Sequence, residues 1–516
     1  MKTIIYLPLD ERPCNYMYPQ YLASMTDLKF LVPDRSMLGN KKRAANVEAV
    51  GEWLSEQAVQ ADYLLVSIDM LVYGGIVPSR LHTLPLEVCL ERLHVLRSIK
   101  RNHPELRIFA FNLITRAPAY SSSEEEPDYY ANYGRELYEM GWFKDKAERE
   151  GLEPEEHTRL SELSEVIPAH ILEEFATRRL HNAAINAFTI DLVEEGVIDY
   201  LIIPLDDNSK FGYTSAEQRR VAAQVERLDL LDRIAIYPGA DEIGCTLFTR
   251  IFCEIKSYIP LIHLRYSSTN GPFCIPKYED RSLNESIKHH ITTAGALVCD
   301  NMEQPDIHLM VHSPPVGQAD MGETMDAYED RHRSYYSESN SREFVQAIKH
   351  YISQGKLVAL ADVALCNGGD HTLMRLLAKQ NLMQGIACYA AWNTSGNALG
   401  TVISHAVIEA YNRSQIEDSS SFHERSRAYY YYRLIEDWAY QSVVRQDVSR
   451  NDLPLLNADD FNLSHVQEQV EFAIEHQLHA FVERYMTEIE LKVTDVYLPW
   501  NRLFEVGFQL QEFKEN

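Results

Sequence analysis

Ten short apolar runs, spaced along the chain with amphipathic segments between them, constrain this sequence more than any other feature. The runs lie at 3–9, 28–33, 62–68, 107–114, 199–205, 233–237, 259–266, 306–312, 356–361 and 385–391. Helix-length amphipathic stretches fall at 43–60, 86–101, 178–196, 215–229, 284–296, 341–354, 371–381 and 397–411. Strand-length runs alternating with helix-length segments are the pattern of βαβ units, and so of parallel sheet. The runs are mostly apolar throughout rather than alternating, as expected of strands covered on both faces.

Many of these runs end in polar residues. Leu201-Ile202-Ile203-Pro204-Leu205 stops at Asp206-Asp207-Asn208, and Leu7-Pro8-Leu9 stops at Asp10-Glu11-Arg12. Asp69, Asp241-Glu242, Asp362 and Trp392-Asn393 follow other runs in the same way, and Asn112 stands near the end of the run 107–114. α/β enzymes place their chemistry at the carboxyl ends of parallel strands. In an open sheet only the ends beside the switch point share a crevice, whereas in a closed barrel all of them face one site. The spread of polar ends therefore predicts a (β/α)8-barrel-like parallel β/α domain over 1–415. Ten strands exceed eight, and two doubly wound α/β domains are the alternative.

The rhythm breaks at 117–178, rich in Tyr and Glu and read as a helical insertion, and at 313–340, read as a long loop. Residues 416–516 are charged and helix-patterned, so a C-terminal helical region is expected there. The run Tyr429-Tyr430-Tyr431-Tyr432 covers every face of its helix and is expected to pack on the main body. Ser215-Ala216-Glu217-Gln218 reads as a capping box opening a helix, and Asp370 as the cap of a helix beginning near His371.

A net charge of −27 argues against nucleic acid and anionic membrane as partners, since phosphate binding needs a basic surface. No run of about 18 apolar residues is present, and the amino terminus enters a strand directly, so neither a membrane span nor a signal peptide is expected. Eight scattered cysteines without a C-x-x-C pair fit a reducing cytoplasm. No nucleotide-binding glycine motif, no H-E-x-x-H and no G-x-S-x-G occurs, so no cofactor and no metal is expected. His289-His290 is an isolated pair on a helix and is expected to be solvated.

The candidate catalytic residues are Asp206 and Asp207. Where a strand passes into a turn, adjacent carboxylates can approach one ligand. Two at close range do not both ionise easily, so one can hold a proton as general acid while the other stabilises charge. The candidate substrate-binding residues are Asp10, Glu11, Arg12, Asp69, Tyr73, Asn112, Arg116, Asn208, Asp241, Glu242, Asp362, Asn367, Trp392 and Asn393. Carboxylates and amides read hydroxyls, and Trp392 offers a stacking platform for a sugar ring. Gly74-Gly75 beside Tyr73 implies a close backbone approach, to a ligand or to a neighbouring strand.

Pro8-Leu9-Asp10-Glu11-Arg12-Pro13, Asp69-Met70-Leu71-Val72-Tyr73-Gly74-Gly75, Leu205-Asp206-Asp207-Asn208-Ser209, Tyr237-Pro238-Gly239-Ala240-Asp241-Glu242 and Ala391-Trp392-Asn393-Thr394-Ser395-Gly396-Asn397 together resemble one bacterial family of the domains of unknown function, number four-one-two-seven. That resemblance covers nearly the whole chain and implies no activity. Asp206-Asp207 alone resembles the catalytic pair of O-GlcNAcase-type β-N-acetylhexosaminidases. This similarity implies that Asp206 orients the substrate acetamido group and Asp207 is the acid and base, with Trp392 and Asn393 as counterparts of later-strand residues. The motif order around them departs from that class.

The function expected is hydrolysis of a glycosidic bond in a small sugar or glycan fragment, an N-acetylhexosaminide among the candidates, by paired carboxylates. A metal-dependent hydrolase or lyase built on the same acids is one alternative. A non-catalytic sugar-binding or regulatory protein is another. The expected partner is a small molecule or oligosaccharide, and self-association into a homo-oligomer is compatible with the sequence.

Overall fold

The computed structural model describes residues 1–302, 304–416, 420–487 and 489–515, and all ten apolar runs form strands in it. They do so in two open parallel sheets belonging to two compact units. The first unit comprises residues 1–16, 28–247 and 278–280, and the second comprises 17–27, 248–277 and 281–516.

The first unit holds β1 (Thr3–Leu7), β2 (Lys29–Leu31), β3 (Tyr63–Ser67), β4 (Arg107–Phe111), β5 (Tyr200–Leu205) and β6 (Ile234–Pro238), in the order β2-β1-β3-β4-β5-β6. Side chains alternate across the sheet. On one face Leu64, Val66, Ile108, Leu201 and Ile203 pack with Val50, Leu54, Leu93, Ile185 and Val221 from the helices. The other face carries an aromatic row, with Tyr6 stacked on Phe30 at 5.5 Å and Phe109 lying 5.9 Å from Tyr63 and 6.0 Å from Tyr200. The insertion is helical, as expected. Helices Tyr130–Arg149 and Pro154–Val166 and the start of Ala169–Glu194 share a small core of Tyr130, Leu137, Met140, Leu163 and Phe175.

The second unit holds β7 (Leu261–Tyr266), β8 (Leu297–Val298), β9 (Ile307–His312), β10 (Val358–Asp362) and β11 (Cys388–Ala390), in the order β11-β10-β9-β7-β8. Counted from its own first strand, this is the order of the first sheet without its sixth strand. Each sheet has its first strand between its second and third, which is a topological switch point. The barrel expectation is thus corrected. The strands divide six and five, and among the described residues no ladder joins the two edges of either sheet.

Residues 420–515 belong to the second unit. Helix Ser420–Arg433 buries all four consecutive tyrosines, with Tyr432 stacked on Phe508 at 4.3 Å and Tyr429 5.0 Å from His405. The chain then widens into π-helix over Leu434–Val444 and Val448–Asp452, a form usually confined to single turns. Its last residues are not helical as expected. β12 (Ile489–Tyr497) and β13 (Gly507–Glu515) form an antiparallel hairpin in which Val493 and Phe508 are buried.

Two further expectations are corrected. The helix after Asp206-Asp207 begins at Tyr213 behind Gly212 rather than at a capping box, and the Gln218 side chain that would close the box instead accepts from Asn208 Nδ2 at 3.0 Å and donates to Asp280 Oδ2 at 2.8 Å. His290 is buried rather than solvated, and burial pushes its imidazole down to about 3. Asp370 does cap its helix, accepting the Thr372 N–H at 3.0 Å. Among the described residues no helix is long and apolar enough to cross a membrane.

Candidate active site

In the first unit the carboxyl ends of the strands carry three networks. The first joins the turns after β1 and β6. Arg12 Nη2 lies 2.7 Å from Asp10 Oδ2 and 2.5 Å from Asp241 Oδ1, and Asn15 Nδ2 donates to both acids at 3.1 Å. All four residues are buried. Burial raises Asp241 against the pull of Arg12. Glu242, fully buried, is raised well above the glutamate range by burial, with the Thr246 hydroxyl opposing at 3.1 Å.

The second network lies after β3 and β4. Ser67 caps the short helix Ile68–Tyr73, which sets Asp69 in its first turn. Asp69 Oδ2 accepts the Leu113 N–H at 2.9 Å and Asn112 Nδ2 at 3.3 Å, while Asn186 Nδ2 holds Asn112 Oδ1 at 2.8 Å. Burial pushes Asp69 up to about 7 despite these donors, and the charge of Asp206 adds to the shift. Tyr73 lies in the helix-side core and stacks on His82 at 4.5 Å. Gly74 (φ +85°) makes the close approach the Gly-Gly pair implied. A Cβ there would stand 2.7 Å from Ala45 N, so the approach is to a neighbouring chain segment.

The third network surrounds Asp206-Asp207. Arg80 Nη2 donates to Asp206 Oδ2 at 2.6 Å and Nη1 to Glu125 Oε2 at 3.2 Å. Arg116 donates to Asp207 Oδ2 at 3.2 Å, Glu125 Oε2 at 3.1 Å and Glu126 Oε1 at 2.9 Å. Lys41 ties this group to the β1 turn. Its Nζ lies 2.6 Å from Glu124 Oε2, and its backbone N–H donates to Glu11 Oε1 at 3.2 Å. Asn208 anchors the stretch 278–280, donating from its backbone to Tyr278 O at 2.8 Å and from Nδ2 to Gln218 Oε1 at 3.0 Å.

The two central carboxyls differ. Asp207 adopts a left-handed φ of +45°, tolerable for aspartate, which turns it off the strand and leaves its side chain 26% exposed against 9% for Asp206. Burial outweighs Arg116 and, with the charge of Asp206, raises Asp207 to about 6. For Asp206 the burial penalty is overcome by Arg80 and Arg116, which hold it below the usual aspartate range. One acid is therefore poised to keep its proton at mildly acid pH while its neighbour stays ionised.

The remaining candidates lie in the second unit. Asp362 ends β10, and its Oδ2 accepts the Asp370 N–H at 2.8 Å. Burial pushes it up to about 7. Trp392 is buried 5.8 Å from Phe504, and its backbone N–H and that of Ala391 donate to Asp437 Oδ2 at 3.1 and 2.6 Å. Asn367 and Asn393 both have left-handed φ, and Asn367 N–H donates to Asn393 O at 3.0 Å. The strand-end candidates thus stand in two sets, each on its own sheet.

Arg80 and the acidic stretch Glu124-Glu125-Glu126, read in the sequence as neighbours of candidate groups, prove to be direct members of this network, whereas Lys41 gave no signal in the sequence. Ser267 and His312 were also passed over. They follow β7 and close β9, where Nδ1 of His312 lies 3.0 Å from Ser267 Oγ and Nε2 lies 3.1 Å from Asp370 Oδ2. Both stand at strand ends, but no linear serine or histidine motif marks them in the sequence. Among the described residues no three His, Cys, Asp or Glu side chains are arranged to hold a metal ion. No curated protein and no solved structure matches the chain. A family model described as "Protein of unknown function (DUF4127)" matches residues 4–509, and the chain belongs to that family.

Proposed function

We propose that the protein is a glycoside hydrolase whose proton donor is Asp207. The observation that carries this reading is the opposite displacement of two adjacent acids, Asp207 upward to about 6 and Asp206 downward, within one buried set of arginines and carboxylates. Paired carboxyls pushed apart in this way divide the work of acid and charge stabiliser. In the proposed reaction Asp207 protonates the glycosidic oxygen as the C–O bond breaks, and the ionised Asp206 stabilises the positive charge that develops on the sugar. Arg80 holds one oxygen of Asp206, which favours this electrostatic role over orientation of an acetamido group. The eight cysteines are free thiols, seven of them buried, which supports a cytoplasmic setting.

A panel of nitrophenyl glycosides, N-acetyl-β-hexosaminides included, tests the reading. One member should be turned over, and Asp207→Asn should lower kcat by roughly 10²–10⁴ while the fold is retained. Turnover of no sugar, or turnover indifferent to Asp207→Asn, removes it.

A further inference from the structure

A hydroxyl, an imidazole and a carboxylate stand in line at the carboxyl edge of the second sheet. Ser267 is the first residue past β7, His312 the last of β9, and Asp370 the cap of helix His371–Lys379. All three are buried. An ionised carboxylate only accepts hydrogen bonds, so the 3.1 Å contact to Asp370 Oδ2 puts a proton on Nε2; burial opposes a charged ring, but Asp370 and Asp362 outweigh it and raise His312, whose neutral form presents the Nδ1 lone pair to Ser267. Ser267 Oγ accepts the Ser313 N–H at 3.0 Å, which leaves its own proton to point along the 3.0 Å contact to Nδ1. Arg331 Nη1 at 3.2 Å and the Thr372 N–H at 3.0 Å fix the other oxygen of Asp370. Burial penalises this carboxylate, but His312 and Arg331 overcome it and hold Asp370 ionised.

Two independent observations mark the place as one that takes a ligand. β7 lies between β8 and β9, so Ser267 and His312 flank the switch point of this sheet, outside whose carboxyl ends α/β proteins bind their ligands. Ser313 Oγ and Asp362 Oδ1, both on fully buried residues at the same edge, have no hydrogen-bond partner within the protein. Buried polar groups tend to be satisfied, so these two oxygens offer a polar ligand two partners beside the Ser267–His312 pair.

We propose that Ser267 is an acyl-accepting nucleophile, with His312 as its base and Asp370 as the residue that orients the imidazole, in a site that hydrolyses small carboxylic esters. Ser267 Oγ forms a bond to the ester carbonyl carbon as its proton passes to His312 Nδ1. The ester C–O bond then breaks, and the departing alkoxide takes that proton and leaves as the alcohol. Water, deprotonated by the same nitrogen, attacks the acyl-serine and releases the carboxylic acid with Ser267 restored. This site shares no residue with the one proposed for glycoside hydrolysis, so the two stand or fall separately.

The test is covalent labelling of the full-length protein with a fluorophosphonate, followed by peptide mapping. One adduct on Ser267 is expected. Ser267→Ala should abolish it, and His312→Gln should slow labelling and p-nitrophenyl acetate hydrolysis by about 10³-fold or more. The unmodified chain carries the decisive measurement, so the result does not depend on any variant folding. No adduct, or an adduct on Ser268 or Ser313 instead, overturns the proposal.

Discussion

Arg12 and Asp241, 229 residues apart in sequence, are joined by a 2.5 Å ion pair although their strands are not neighbours. β1 and β6 are separated by three strands, and across a flat sheet that is roughly 19 Å at the usual spacing. A guanidinium cannot span such a gap alone; Arg12 lies five residues past the end of β1 and Asp241 three past the end of β6, so the two turns reach towards each other over the strands between them. Arg12 is the pin. Arg12→Leu should destabilise the protein by about 3–5 kcal/mol in urea unfolding, because the buried Asp10 and Asp241 lose the positive charge of Arg12. Adding Asp241→Asn should recover part of that loss. If the double variant is no more stable than the single one, the pairing is not the cause.

The ten strands were legible because each is a short apolar run between amphipathic helices. Asp206, Asp207, Asp10 and Asp241 were legible because an apolar run that stops at an acid leaves that acid at a strand end. How the strands divide was not legible, since every βαβ unit looks alike and the order of strands is set by long-range packing. Neither were the partners, because Arg80 and Glu125 are far in sequence from Asp206 and their pairing exists only after β3, β4 and β5 align. The terminal hairpin was misread although Glu490, Lys492 and Thr494 alternate with apolar residues, because charge was taken as a sign of a solvated helix.

Asp69 makes a pH prediction for stability. Its folded value, about 7, lies above the ordinary 3.8 that it regains on unfolding. The folded protein therefore binds the extra proton between those limits. The stabilisation is fully present below about pH 4 and is lost as pH rises through 7. Asp69→Asn should flatten that part of the stability curve measured by urea unfolding between pH 4 and 8. A slope unchanged by the substitution would show that Asp69 does not hold the proton.

Gly74 tests a structural role against a ligand-binding one. Gly74→Ala places a methyl 2.7 Å from Ala45 N and forces an alanine to φ +85°. Strain of this kind costs of order 1–3 kcal/mol before the clash is counted. A fall in Tm of several degrees is expected, with ligand affinity per folded molecule unchanged. A normal Tm with lost affinity would move the glycine pair into the binding site.

The acid role of Asp207 has a signature in the pH profile of kcat/KM on whichever glycoside proves to be a substrate. A general acid works only while protonated, so activity should fall as pH rises through about 6, and the acidic limb should lie below the usual aspartate range, where Asp206 titrates. The neighbours set the upper limb in opposite senses. Arg116 lowers the Asp207 value and Asp206 raises it, so Arg116→Met should move the basic limb up and Asp206→Asn should move it down, whatever each does to the maximum rate. Opposed shifts are hard to produce by damage to the fold, which lowers the whole profile without displacing one limb. A basic limb that stays near its original pH in both variants assigns the titration to a different group.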